Sequence, residues 1–114
     1  MLYALKLKNE KYYIGRAYDV LWRYRAHVAG TGAQWTAKHR PVELIESRRI
    51  EASLQATPDL AESKLTIEYM VRYGWQNVRG SDFTILDDAA LEKKLVDSGL
   101  MEVIESMMRG ACRQ

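Results

Sequence analysis

A single cysteine, Cys112, stands in this 114-residue chain, and it lies in the tail. That scarcity excludes an internal disulfide and a cysteine-based zinc site. The two histidines, His27 and His39, are not at zinc-ligand spacing and have no ligand cluster around them. No apolar run approaches the roughly 20 residues that cross a bilayer. The N-terminus also lacks the cationic, apolar and small-residue segments of a secretory signal, so a cytoplasmic protein is expected. Gly30-Thr31-Gly32 lacks the following helix and lysine of a phosphate loop. No serine or cysteine sits in a nucleophile elbow. Internal repeats and low-complexity segments are missing too.

What is present fits one domain with one modest core. Hydrophobic residues make up 47% and charged residues 28%, the balance of an ordinary globular protein. The net charge of +2 hides an asymmetry. Residues 1–50 carry ten Lys/Arg against four acids, so this half is +6 and the remainder −4. A basic half joined to an acidic half suggests one face for a polyanion.

Leu2 to Leu7 alternates, Lys11 to Arg16 is aromatic and β-branched, and Asn9-Glu10 sits between them, which reads as a β-hairpin. Asp19 as N-cap and Gly30 as stop predict a helix over Val20 to Ala29. Its buried stripe would be Val20, Leu21, Tyr24 and Val28, with Trp22 pointing away and Arg23 and His27 flanking. Gly30 to Pro41 reads as a loop and Val42 to Ser47 as a third strand. Thr57-Pro58 opens a long helix to Tyr73, apolar nearly all round and therefore central. Trp75 to Asp82 reads as a turn-rich link. Helices are expected over Ala89 to Val96 and Met101 to Met108, followed by a frayed end.

The polar residues carry the functional signal. Tyr3, Tyr13-Ile14-Gly15, Arg23-x-x-x-His27 and Glu62 recur in an ordered set, with ten positions between the tyrosines. Singly, each has an ordinary reading. The tyrosines suit strand cores, and Arg23 and His27 suit a solvated helix face. Asp59-Leu-Ala-Glu62 has capping-box spacing. Together their order and spacing resemble the GIY-YIG nuclease family. Tyr-Ile-Gly is intact, whereas Met1-Leu2-Tyr3 keeps only the tyrosine of the family's Gly-Ile-Tyr. Glu62 through Gly80 also resembles the helix and turn that carry the glutamate in a subset of the family.

The resemblance, which runs from about Met1 to Ser81, implies an α/β fold with a three-stranded, mostly antiparallel sheet flanked by helices. It implies a catalytic domain over residues 1–81, with residues 82–114 as a helical C-terminal extension packed on the same core. It implies a Mg²⁺- or Mn²⁺-dependent DNA endonuclease in which Tyr13 is the base, Arg23 the phosphate clamp and Glu62 the metal ligand. Tyr3 and His27 would support them. An oxygen-ligated hard cation needs no more than one carboxylate plus phosphate and water. Arginine can clamp a phosphate oxygen bidentately, as lysine cannot.

Lys11, Arg16, Lys38, His39 and Arg40 would contact the nucleic-acid backbone, as would Thr31 and Thr36, and Trp35 and Trp22 would stack on unpaired bases, with Trp22 reading equally well as packed under the C-terminal helices. His39 is also a lesser catalytic candidate. The roughly 30 residues after Ser81 are too few for a second core, so single-stranded or branched DNA is the expected substrate. Two alternatives stay open. One is a short-site duplex endonuclease, dimeric through an apolar C-terminal helix (Leu100, Met101, Val103, Ile104, Met107, Met108). The other is a non-catalytic nucleic-acid-binding or partner-docking module.

Overall fold

Alternation along the first strand creates two sheet faces of different chemistry. The computed structural model describes Met1 to Cys112, and the expected frayed end at Arg113 and Gln114 lies outside the described residues. Strand β1 (Leu2–Leu7) reverses through Lys8-Asn9-Glu10 into β2 (Lys11–Arg16), pairing antiparallel from Leu2 opposite Arg16 to Leu7 opposite Lys11. Asn9 and Glu10 both take left-handed backbone, at φ 66° and 60°. Asparagine tolerates that region well, so the strain of the reversal rests on Glu10.

Helix α1 (Val20–Val28) begins where the Asp19 carboxylate accepts the Trp22 N–H. A short helix α2 (Gln34–Lys38) follows. Strand β3 (Pro41–Arg48) lies antiparallel on the other side of β1. Helix α3 (Pro58–Tyr73) has proline at its start and ends at Gly74, φ 92°. Strand β4 (Val78–Gly80), α4 (Asp88–Asp97) and α5 (Leu100–Cys112) complete the chain. The sheet order is β3-β1-β2-β4, with β4 parallel to β2.

Two elements correct the sequence reading. The sheet has four strands rather than three, because the supposed link Trp75–Asp82 contains β4. The supposed loop Gly30–Pro41 contains α2, so a helix does follow Gly30-Thr31-Gly32. Three and five residues are too short to display a period. Both elements are specified by their neighbours rather than by their own pattern.

Leu2, Ala4, Tyr12 and Ile14 point to one face and meet Leu65, Tyr69 and Met70 of α3. Leu91 and Leu95 of α4 and Ile104 of α5 join the same core. Helix α3 touches β2 on one side and α5 on another, which explains its nearly continuous apolar surface. Leu100, Met101 and Ile104 therefore serve this core, and of the expected dimer surface only Val103, Met107 and Met108 stay exposed. The opposite face carries Tyr3, Leu5, Leu7 and Tyr13 against Val20 of α1 and Trp35 of α2. The result is a mixed α/β fold, a four-stranded sheet covered on both faces by helices.

Helix α1 is rotated from its expected setting. Val20 is buried, but Leu21 and Val28 are exposed, and the second fully buried residue is His27. The cause is polar: His27 has partners at both ring nitrogens, so burying it leaves nothing unsatisfied. Trp22 remains outward, 64% exposed, rather than under the C-terminal helices.

Candidate active site

Residue pairing in the hairpin puts Tyr3 opposite Gly15 and Tyr13 opposite Leu5. The two phenols therefore sit diagonally on one face, ring centres 6.4 Å apart. The Tyr3 ring lies across Gly15, where a Cβ would fall 2.3 Å from its Cζ and Oη atoms. Only glycine leaves room for that ring, so the Tyr-Ile-Gly motif has a steric reason here.

His27 reaches in from α1, its ring 5.9 Å from Tyr3 and 5.0 Å from Tyr13. Its Nε2 lies 2.8 Å from the Tyr3 hydroxyl and its Nδ1 2.8 Å from the Thr36 hydroxyl. Gly32 passes so close that a Cβ would sit 2.1 Å from Nδ1. Burial, reinforced by the Arg23 charge, lowers the His27 pKa from 6.5 to about 4. His27 is thus a neutral, buried residue, not a solvated one.

Arg23, one turn earlier on α1, is half-buried. Its charge acts on both phenols, as does the carboxylate of Glu62 on α3. Burial, then Tyr13, raises the Tyr3 pKa, while Arg23 pulls it down and Glu62 adds a smaller upward push. Burial, then Glu62, raises the Tyr13 pKa against Arg23. Two phenols, one guanidinium and one carboxylate thus share one electrostatic neighbourhood.

Glu62 is no helix cap. Helix α3 starts at Pro58, so Glu62 falls in its second turn and Asp59-Leu-Ala-Glu62 forms no capping box. Burial raises the Glu62 pKa, Arg16 opposes, and Asp59 and Asp82 add to the rise. Arg16 itself pairs with Asp59 at 2.8 Å. Among the described residues no three His, Cys, Asp or Glu side chains converge as a metal cage. A lone half-buried carboxylate does not make a closed zinc site. It fits Mg²⁺ or Mn²⁺, which retain waters and accept phosphate oxygens.

The other end of β2 holds a second cluster. Lys11, Trp35, Lys38, His39 and Asp88 line an open groove of about 520 Å³. Trp35 is only 3% exposed, donates from Nε1 to the Tyr12 carbonyl and stacks 4.3 Å from the Arg79 guanidinium. It is a core residue with no face open to a base, contrary to the sequence expectation. His39 packs edge-on against Trp35 and touches Asn9, away from the phenols. Burial, then Lys11 and Lys38, lowers its pKa. Lys11 donates to Asn77, and Arg40 donates to the Val28 carbonyl. Lys38 and Thr31 are exposed, whereas Thr36 is wholly buried and cannot reach a phosphate.

The chain is similar to UPF0213 proteins. It is 41% identical over 46 residues to UPF0213 protein XAC3202 of Xanthomonas axonopodis pv. citri, covering 40% of this chain and 45% of that one. It is 38% identical over 55 residues to UPF0213 protein lmo0166 of Listeria monocytogenes, covering 48% and 61%. It is 37% identical over 60 residues to UPF0213 protein FN1575 of Fusobacterium nucleatum, covering 48% and 60%. The chain thus spans less than two thirds of the length of these UPF0213 relatives. No family model and no solved structure matches it. Among the described residues no helix is long and apolar enough to cross a membrane.

Two residues escaped the sequence reading of roles. Arg79 is fully buried and saturated. It donates to the carbonyls of Trp75, Gln76, Val78, Ile85 and Leu86 and to the Asp88 carboxylate at 2.6 Å. Half of its acceptors are local carbonyls that any residue presents and half come from a later segment, so nothing in the sequence marks it. Thr36 had been assigned to phosphate, and only its spatial meeting with His27 reveals otherwise.

Proposed function

We propose that this protein is a divalent-metal-dependent DNA endonuclease of the GIY-YIG type, acting on single-stranded or branched DNA. The observation that carries the reading is that Tyr3 and Tyr13 of the hairpin and His27 of α1 close into one cluster, ring centres 5.0 to 6.4 Å apart, with Arg23 one turn away on the same helix and its charge and that of Glu62 bearing on both phenols. That is the group set a phosphodiester cleavage needs: a proton acceptor, a cationic clamp and an oxygen ligand for a hard cation.

In this reading Glu62 would hold Mg²⁺ or Mn²⁺. The ion, when bound, supplies a more acidic water and screens the phosphate charge. Arg23 grips a non-bridging oxygen in a bidentate clamp. Tyr13 orients the attacking water and, as the phenolate left once its own proton has passed to solvent, takes the water's proton. Burial, then Glu62, raises the Tyr13 pKa and Arg23 opposes them, so the charges around the phenol set how readily it gives up its own proton. Tyr3 and His27 hold the geometry around Arg23 and Tyr13. Exposed Lys38 and Trp22 offer backbone contact and base stacking at the margins.

The test is cleavage of single-stranded, duplex and forked DNA with Mg²⁺ or Mn²⁺, comparing wild type with Glu62→Ala. Wild type is expected to cut the single-stranded or forked substrates. Glu62→Ala should lose on the order of 100-fold or more in rate. Wild type that binds DNA and cuts none of it would favour a binding module on the same fold. Retained cutting in Glu62→Ala would remove the metal assignment.

A further inference from the structure

The link from β2 into α1 leaves one aromatic ring with nothing packed against it. Tyr18 stands between the strand of Tyr13 and the helix of Arg23 and is fully exposed. It borders a cavity of about 480 Å³, within the size range of small-molecule sites. Met1, Ala17, Ile50 and Pro58 give the cavity apolar walls, and Arg16 and Gln55 supply its polar groups. Two of the walls are tied together. The Met1 nitrogen donates to the Ala17 carbonyl and the Ala17 N–H to the Met1 carbonyl, each at 3.0 Å. The place of the cavity is set by Arg16, whose Nη2 lies 2.8 Å from the Asp59 carboxylate. Asp59 and Glu62 are three residues apart on α3, hence on one face and about 4.5 Å apart along the axis. The slot therefore opens about one helical turn from the candidate metal ligand. Burial raises the Glu62 pKa, and Arg16 is the first charge to oppose it, in keeping with that short separation.

We propose that this slot is a nucleobase subsite: the unpaired base next to the scissile phosphate enters it and stacks on Tyr18, while Arg16 holds that nucleotide's phosphate. The proposal deepens the nuclease reading and rests on it for the link to the scissile phosphate. An apolar peptide side chain would fill the walls and leave the guanidinium unanswered. A nucleotide carries flat apolar faces, an edge of donors and acceptors, and an anion on one small frame, and the slot has a counterpart for each. Asp59 engages one nitrogen of Arg16 and so steadies the fork, with Nε and Nη1 left for phosphate oxygens. The Gln55 amide offers a donor and an acceptor to the base edge. Stacking on a tyrosine ring tolerates every base, so the slot would select unpaired bases rather than a sequence. A base inside a duplex must first leave its stack, at a cost that single-stranded and branched DNA does not carry.

The experiment is an NMR titration of the intact protein with deoxyadenosine monophosphate at millimolar concentration, against deoxyribose phosphate, which lacks the base. The nucleotide is expected to shift the Tyr18 ring and the Ile50 methyl signals, and the sugar phosphate to bind about tenfold more weakly. Tyr18→Ala removes the stacking ring from an exposed position and should weaken the nucleotide about tenfold. Ala17→Leu fills the slot, keeps Tyr18 and should weaken the nucleotide as well. Equal affinity for the two ligands, shifts that spare Tyr18 and Ile50, or no shift at all would overturn the inference, whether or not the variants fold. In cleavage assays Tyr18→Ala should raise KM for single-stranded DNA about tenfold and leave kcat nearly unchanged. Wild type that binds the nucleotide in the slot yet cuts no DNA would defeat the nuclease reading and leave the base subsite standing. Wild type that cuts DNA, with Tyr18→Ala cutting equally well, would do the reverse.

Discussion

The two ends of strand β2 use the same residue types to opposite ends. At the Lys11 end an arginine, a histidine and an aromatic ring (Arg79, His39, Trp35) meet beside Asp88. At the Gly15 end Arg23 and His27 meet two phenols beside Glu62. Arg79 is saturated by six acceptors and a stacked indole, and it can do nothing but hold the chain together. Arg23 is half-buried and has no ion pair among the described residues. A guanidinium whose donors are all engaged belongs to the fold. One left beside ionisable phenols is available for a ligand.

The sharpest way to break this contrast is to exchange the roles experimentally. Arg79→Ala orphans several acceptors and opens a cavity under Trp35, so urea unfolding should show a loss of about 3 kcal/mol or more. Arg23→Ala should change stability by less than about 1 kcal/mol while abolishing cleavage. If Arg23 proved the costlier of the two to the fold, the contrast would be inverted.

The histidines sharpen it next. The folded pKa of His27, about 4, lies below its unfolded value of 6.5. The unfolded chain therefore takes the proton first as pH falls. His27-linked stability is intact above about pH 6.5 and drains away down to about pH 4, by up to about 3 kcal/mol. Denaturation across that window should show a slope that His27→Gln removes and His39→Gln mostly keeps. Equal slopes in both variants would mean that the acid sensitivity lies elsewhere.

The smallest effects separate the tryptophans. Trp22→Ala should leave stability within about 0.5 kcal/mol. It should weaken single-stranded DNA binding by about tenfold through lost stacking. Trp35→Phe should cost about 1 kcal/mol of stability through the lost bond to Tyr12 and leave binding unchanged. Fluorescence titration and thermal unfolding of the two variants give both answers.

Much of the frame was legible because its signals are local. The Leu2–Leu7 alternation, Asp19 before α1 and Pro58 and Gly74 around α3 each carry their meaning within a few residues. The relation of Tyr3 to Tyr13 was legible too, since hairpin register follows from the turn. What stayed hidden depends on distant partners. Val78–Gly80 is a strand only because Tyr12 to Ile14 lies beside it. His27 is buried only because Tyr3 and Thr36, on different elements, satisfy both its nitrogens. Trp35 and Arg79 are buried on each other's account. Apolar periodicity cannot register a polar residue whose burial is bought by another segment.

The Arg79 clamp also bears on how this protein can be trimmed or fused. Three of its six acceptors, the Ile85 and Leu86 carbonyls and the Asp88 carboxylate, lie beyond Ser81. A fragment cut after that serine would keep every candidate catalytic side chain and still lose half the lining of a fully enclosed cation. Such a fragment should be insoluble or molten, whereas a tag appended after Gln114 leaves every residue of the clamp in place.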